Sequence, residues 1–406
     1  MPPSPKASDL PKIKVSPRGA SRLKSGHVWV YRSDILSADG VEPGSLVAVT
    51  DQRGKALGTA LYSSSSQIAI RLISHDPVPN LPALLRTRIA DAVAYREKIV
   101  RDTNAYRVIF SEADFLPGLI VDRYNDILSL QILTQAMDAN LVRETVISEL
   151  TQSALTQQLA PASVIERVDP RVRELETLPA RASGLLHGEK TATTFTMNGV
   201  QFHYGALEGQ KTGAFLDQRE NYAAAAQYAR GDALDVFCYQ GGFALHLARV
   251  CEQVTGVDSS RPALEVADQN AALNQGLLGQ KEIDWIEANA FDLLKDYAST
   301  SRRYDTVVLD PPAFAKSKRD LDAALRGYKE LNLRALKMLR PGGILVTCSC
   351  SYHVNQASFL EMLASAALDA HRNLRLIEVR GQSKDHPVLL NVPETSYLKC
   401  VTAYVS

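Results

Sequence analysis

The sequence predicts an α/β protein whose C-terminal half is a parallel sheet flanked by helices, and three observations carry that prediction. From Leu234 to Asp258 the chain reads LDVFCYQGGFALHLARVCEQVTGVD. A short apolar run leads into a loop with Gly241 and Gly242; Phe243, Leu247 and Val250 recur at helical spacing, and a second apolar run closes on Asp258, which together make one β-loop-α-β unit. Strand and helix patterns then alternate as far as Thr347, as repeated βα units of a parallel sheet do. Two last apolar stretches, 374–379 and 397–404, are separated by an irregular DHPVLLNVPETS and suit an antiparallel edge.

Taken in order, residues 13–76 read as short strands at 13–15, 27–31, 46–50 and 67–74. Between them lie turn signals, Pro43-Gly44 and the DQRG of 51–54. Prolines 77, 79 and 82 then punctuate the chain. A helix over 82–101 carries Leu85, Ile89, Val93 and Val100 on one face and leads into strands at 106–111, 119–124 and 127–133, joined by Leu116-Pro117-Gly118 and Asn125-Asp126. A helix at 139–153 and a strand at 164–167 complete an α+β middle domain. From about Glu189 a hairpin follows, TTFT-MNGV-QFHY, with Asn198-Gly199 as its turn. The C-terminal units are helices at 220–228, 261–274, after Phe291 and at 320–338, and strands at 283–287, 305–309 and 343–347. The expected division is a tail at 1–12, a small β-domain at 13–80, the middle domain at 81–188 and the α/β domain at 189–406.

At 406 residues, 45% hydrophobic and 22% charged, the composition is that of a globular protein of two or three domains. The formal net charge is zero, so overall charge does not point to nucleic acid. Residues 1–32 nevertheless carry Lys6, Lys12, Lys14, Arg18, Arg22, Lys24 and Arg32 against the single acid Asp9, which makes a basic N-terminal module. No apolar run reaches the roughly 20 residues of a membrane span, and the Pro-rich start lacks the apolar stretch of a signal peptide, so a cytoplasmic location without membrane contact is expected. Five cysteines without a CxxC pair fit reduced thiols, neither a disulfide framework nor a metal site.

The loop YQGGFA lacks the G-x-G-x-x-G spacing that wraps a pyrophosphate, and no Lys-Ser/Thr follows it as in a P-loop. Two glycines still let backbone approach a ligand, and an acid about 20 residues on can accept both ribose hydroxyls of a nucleoside. The unit therefore favours a nucleoside without phosphate, of which S-adenosylmethionine is the common one; a loop that binds nothing is the plain alternative. Ligands of such sheets sit at the carboxyl ends of the strands. After the third strand Asn289 could bond an adenine amino group and Phe291 lie near the base plane. After the fourth, Asp310-Pro311-Pro312-Ala313-Phe314 is a stiff loop that holds Asp310 toward the cleft. After the fifth comes Thr347-Cys348-Ser349-Cys350-Ser351, two thiols at a strand end. A pyrimidine C5 has no lone pair to methylate, and thiolate attack at C6 would make it nucleophilic. The alternatives are two core cysteines, an amino-group methyltransferase that uses the DPP loop, and a non-catalytic RNA-binding assembly factor of this fold.

The order HVWVYRSDI, FSEADFLPGLIVDRYNDILSLQ, GQKTGAFLDQREN, DVFCYQGGFALHLA, DPPAFAKSK, GYKELNLRAL and GGILVTCSCS resembles the bacterial large-subunit rRNA cytosine-C5 methyltransferase I family, from about Ile13 to the end of the chain. The resemblance implies a PUA-like RNA-binding barrel, a central α+β domain and a Rossmann-like class I methyltransferase domain. It implies S-adenosylmethionine as cofactor and large-subunit rRNA as partner, with homodimer formation left open. It also implies that Lys211, Asp217, Gln218 and Arg219 lie near the cofactor, that Asp258 holds the ribose, that Asp310 serves the base and that Cys350 is the nucleophile; the strand end and glycine loop add Phe237 and Gly241 as cofactor-binding candidates. Gln240, Cys238 and Asn289 stand where Thr, Ser and Asp are usual in that pattern.

Overall fold

A computed structural model describes residues 10–152, 159–207, 214–315 and 317–406. The chain divides into two compact units: Met1–Thr193 with Tyr204–Gly213 and Lys384–Thr395, and Thr194–His203 with Ala214–Ser383 and Ser396–Ser406.

The first unit opens with strands β1 (Lys12–Val15), β2 (Trp29–Tyr31), β3 (Ile35–Ser37), β4 (Leu46–Thr50), β5 (Ala56–Tyr62) and β6 (Ile68–Ser74), in one sheet of order β2-β6-β5-β4-β1-β3. Sequence periodicity missed three of its elements. The helix Pro17–Lys24 has only eight residues, yet it is well specified: Ser16 Oγ accepts from Gly19 N, a proline occupies the first turn, and Gly19, Ala20 and Leu23 are buried. Strand β3 is three residues long. Strand β5 reads ALGTALY and is poor in β-branched residues, so it lacks the composition that signals a strand.

Strands β7 (Ala105–Phe110), β8 (Leu119–Tyr124), β9 (Ile127–Ile132), β10 (Ser163–Glu166) and β11 (Gly184–His187) form a second sheet of order β11-β10-β9-β8-β7, with helices Leu81–Ile99 and Asn140–Gln152. The first helix starts where Asn80 accepts from Ala83 N. One core unites this sheet with its neighbour, because Leu61, Ile73 and Val78 pack in the same cluster as Leu85, Ile89, Val108, Val121 and Leu130. The late segment Lys384–Thr395 belongs to this unit too. Arg96 donates to Asp385 O at 2.8 Å, the Asp385 carboxylate accepts from Arg107 N at 2.8 Å, and Val392 is buried in the β1–β6 core.

In the second unit the hairpin of β12 (Ala192–Met197) and β13 (Val200–Gly205) turns on Asn198 and Gly199, both at positive φ, as the Asn-Gly signal requires. The main sheet contains β14 (Asp232–Val236), β15 (Gln253–Asp258), β16 (Ile283–Glu287), β17 (Tyr304–Leu309), β18 (Leu339–Ser349), β19 (Leu374–Arg380) and β20 (Lys399–Val405), in the order β16-β15-β14-β17-β18-β20-β19. The first five strands pair in parallel, while β20 pairs antiparallel with both β18 and β19. The strand order reverses between β15-β14 and β17, which opens the crevice where such sheets bind ligands. The helix Gln356–Asp369 lay outside the sequence expectations; it buries Phe359, Met362, Leu363 and Ala366 and is capped by Asn355 accepting from Ser358 N.

Candidate active site

The loop after β14 owes its shape to backbone conformations that few side chains favour. Phe237, Tyr239 and Gly241 have φ of 68°, 49° and 84°. The first two are non-glycine residues in the left-handed region, which places backbone strain at this turn. Gly242 begins the helix Gly242–Ala248, and a Cβ there would lie 2.5 Å from the ring of buried Tyr222, so this glycine sets how closely helix and tyrosine approach. Asp235, wholly buried inside β14, accepts from Ala244 N at 2.8 Å and so fixes the first turn of the helix. Burial, with Asp310 and Asp258 nearby, holds its carboxyl well above the usual carboxylate range. Its other oxygen has no hydrogen-bond partner among the described residues.

Asp258 ends β15 and is half-buried. Its Oδ2 accepts from Tyr239 N and its Oδ1 from Ser260 N, both at 2.9 Å, so both strand ends fix the carboxylate before any ligand arrives. A cleft beside this loop is lined by Ala214, Phe215, Tyr222, Phe237, Tyr239 and Asp310, among others. Phe215 and Tyr239 meet edge-on with centroids 5.1 Å apart.

The short turn Leu216–Gln218 supplies the opposite wall. Gln218 Nε2 donates to Asp310 Oδ1 at 3.0 Å, while Gln218 Oε1 accepts from Asn221 at 2.7 Å. Asp217 accepts from Tyr397 Oη at 2.6 Å; its Oδ1 is buried and unpartnered among the described residues. Arg219 is buried, with its guanidinium 3.6 Å from Glu220. Burial and then Asp217 raise the Asp310 carboxyl to about 7, with the Gln218 hydrogen bond opposing. Asp310 is thus an acid that exchanges its proton near neutral pH.

The two thiols differ sharply. Cys348 lies inside β18 opposite Cys400 and is wholly buried, and burial raises its thiol well above the usual range. Cys350 lies one residue beyond the strand, half-buried, with Sγ 3.9 Å from Pro311 O of the DPP loop. Burial, Asp310 and Asp217 push its thiol up to about 11. Asn289 and Phe291 stand at the far end of the row. Asn289 Oδ1 accepts from Phe291 N at 2.9 Å and from Asp292 N, capping the helix Ala290–Ala298, so the oxygen expected to meet an adenine already has a structural duty. Phe291 is 38% exposed, with its ring centroid 5.9 Å from Phe314. Lys211 lies outside the described residues.

The structure thus brings Asp217, Gln218, Asp310 and Cys350 near one another, with Phe237 and Asp310 lining the cleft and Gly241 and Asp258 in and against the loop beside it. Sequence reading overlooked Asp235, Tyr222, Tyr397 and Lys399. Asp235 left a signal, a charged residue inside an apolar strand; Tyr222, Tyr397 and Lys399 left none.

Residues 13–75 match the PUA-like domain family, and residues 126–388 match the S-adenosylmethionine-dependent methyltransferase family. A Shewanella denitrificans protein named ribosomal RNA large subunit methyltransferase I is 37% identical over 97% of this chain and 99% of its own length. The chain belongs to the ribosomal RNA large subunit methyltransferase I family. A Photobacterium profundum protein of the same name is 38% identical over 94% of this chain and 96% of its own length. The solved structure of SMU.776, described as a methyltransferase complexed with SAH, superposes with a TM-score of 0.80 at 19% identity, covering 97% of this chain and 99% of that one, a likeness of fold. The chain is an S-adenosylmethionine-dependent methyltransferase. The Asp258 carboxylate at the end of β15 is held by two backbone amides, and one Asp217 oxygen is buried without a partner among the described residues. Among the described residues no group of three or more His, Cys, Asp or Glu could hold a metal ion, and no helix is long and apolar enough to cross a membrane.

Proposed function

We propose that this protein methylates C5 of a cytosine in large-subunit rRNA, in the cytoplasm, through a covalent bond between Cys350 and the base. The single observation that carries this reading is the contrast between Cys348, sealed in the sheet, and Cys350, half-buried beyond the strand end and facing the DPP loop. Asp258 would hold the ribose of S-adenosylmethionine, Asp217, Gln218, Arg219, Phe237 and Gly241 would surround the cofactor, and Asn289 and Phe291 would lie toward its adenine. Bound there, the cofactor supplies an electrophilic methyl group. The Cys350 thiolate forms the S–C6 bond, the C5–C6 π pair moves through C4 to N3, and N3 takes the Asp310 proton, leaving C5 nucleophilic. Once C5 is methylated, water takes its hydrogen as a proton, the electron pair re-forms C5–C6 and the thiolate departs. The N3 proton then returns to Asp310.

The test uses an RNA carrying 5-fluorocytosine, in which fluorine at C5 blocks the final elimination and traps the adduct. Cys350→Ala should abolish the adduct while Cys348→Ala keeps it. Loss in Cys348→Ala with retention in Cys350→Ala would reverse the assignment. An adduct in neither the unsubstituted protein nor its variants would make an exocyclic amino group the better target. Comparing 5-methylcytosine in rRNA from cells with and without the gene then identifies the nucleotide.

A further inference from the structure

The reaction as derived leaves one buried charge unused. Lys399 opens β20, pairs across the ladder with Ser349, and is only 7% exposed. Its Nζ donates to Ser351 O at 2.7 Å and to Tyr397 O at 2.8 Å. The first of these carbonyls belongs to the residue that follows Cys350; the second belongs to the tyrosine whose hydroxyl holds Asp217. Neither acceptor carries a charge, and Lys399 has no counter-ion among the described residues, which for a buried ammonium is costly unless something in its function repays it.

The groups facing Cys350 show what that could be. From the DPP loop comes Asp310, from the turn after Phe215 comes Asp217, and both carboxylates disfavour a thiolate. From the helix Leu321–Met338 comes Tyr328, fully buried, with its hydroxyl 2.9 Å from Ser351 Oγ. Against them β20 brings Lys399, which favours the thiolate. The segment carrying the thiol is itself pinned, since Ser351 Oγ also accepts from Ala315 N at 3.2 Å.

We propose that Lys399 is a positioning residue for the Cys350 thiolate: a fixed, water-excluded cation that stabilises the anion before it attacks and again when it is expelled, and that holds the Cys350–Ser351 backbone in place. The inference rests on Cys350 being the nucleophile. Its chemistry needs no further reactant: the thiol proton goes to water, the anion forms beside a charge already in place, and elimination returns it to the same surroundings. Burial lowers the lysine itself to about 8, with Cys350 opposing, so the charge it lends is present at neutral pH and is withdrawn as pH rises through that value.

The experiment follows alkylation of Cys350 by iodoacetamide against pH in the full-length protein without RNA, quantified on the Cys350 peptide by mass spectrometry. Below pH 8 Lys399→Arg, which keeps a cation, should keep the alkylation rate. Lys399→Gln keeps donors for the two carbonyls but no charge, and should slow alkylation below pH 8 by about tenfold or more, the difference closing at higher pH as the native lysine loses its charge. Trapping on 5-fluorocytosine RNA at pH 7.5 should slow by about tenfold or more with cofactor affinity unchanged. An unchanged alkylation rate below pH 8 in Lys399→Gln would overturn the proposal and leave the lysine a tie between two carbonyls. The Asp310→Asn protein gives an independent reading, because it removes the other group that ionises in this range. There the thiolate should accumulate over a wider pH span than one proton allows, as Lys399 loses its charge, and a simple one-proton curve would overturn the proposal even if Lys399→Gln does not fold. The alkylation rate below pH 8 reads Lys399 whether or not cytosine C5 is the target, while the adduct test with Cys350→Ala judges that reading separately.

Discussion

The two walls of the crevice are built by opposite means. On the β14–β15 side, Asp258 is held by amides of its own βαβ unit, the more distant being 19 residues away, and the shape is set by backbone: three positive φ angles and a glycine against a tyrosine ring. On the β17–β18 side, side chains do the positioning, and they arrive from far along the chain. Gln218 reaches Asp310 across 92 residues, Lys399 reaches Ser351 across 48, and Tyr397 reaches Asp217 across 180. A wall made of local backbone suits a ligand common to many enzymes. A wall made of long-range side chains can be changed one residue at a time, and it is where a particular reaction is specified.

Substitutions should therefore separate the walls by what they damage. The largest effect is expected from Cys350→Ala, at least about a thousandfold in turnover with cofactor affinity intact. Cys348→Ala, in the same strand, should lose less than about tenfold in turnover and instead lower the unfolding free energy by about 1–2 kcal/mol through the void left in the sheet, measured by denaturant titration. Next comes Asp310→Asn, which keeps the shape and removes the acid; turnover should fall by about 10²–10⁴. In the unsubstituted protein turnover should decline as pH rises through about 7 and Asp310 loses its proton, and that limb should vanish in the variant. The same raised pKa carries a sign for stability. Between the ordinary value of 3.8 and about 7 the folded protein holds a proton that the unfolded chain has released, so this group's contribution is complete at low pH and lost as pH rises through 7. On the other wall, Asp258→Ala should weaken cofactor binding by about 1.5–3 kcal/mol in calorimetry, with the residual turnover at saturating cofactor largely kept. The smallest effect is expected from Asn289→Ala, about 1 kcal/mol in stability from the lost helix cap, with a smaller change in cofactor affinity. Equal loss of affinity in Asp258→Ala and Cys350→Ala would erase the division between the walls.

That division also marks how much could be read in advance. The Gly241–Gly242 loop, Asp258 and the Asn198-Gly199 hairpin were legible because each is encoded within about 25 consecutive residues as period, glycine and turn chemistry. Cys350 and Asp310 were legible from their strand ends. Lys399 and Tyr397 were not, because their roles exist only once β20 lies antiparallel to β18, and no spacing in the sequence states that pairing. The helix Pro17–Lys24 escaped because it is short and holds a glycine, Gly19, at a position where an added Cβ would lie 3.1 Å from the Val30 side chain.

The segment Lys384–Thr395 bears on how the chain is made. It completes the first unit, lending Asp385 to Arg96 and Arg107 and Val392 to a core begun at Ile13, while β20, a few residues later, closes the sheet of the second. A nascent chain emerging from the ribosome therefore cannot finish either unit until its last two dozen residues are free. Premature termination near residue 380 should leave both unfinished and open to proteolysis, instead of yielding one folded RNA-binding piece.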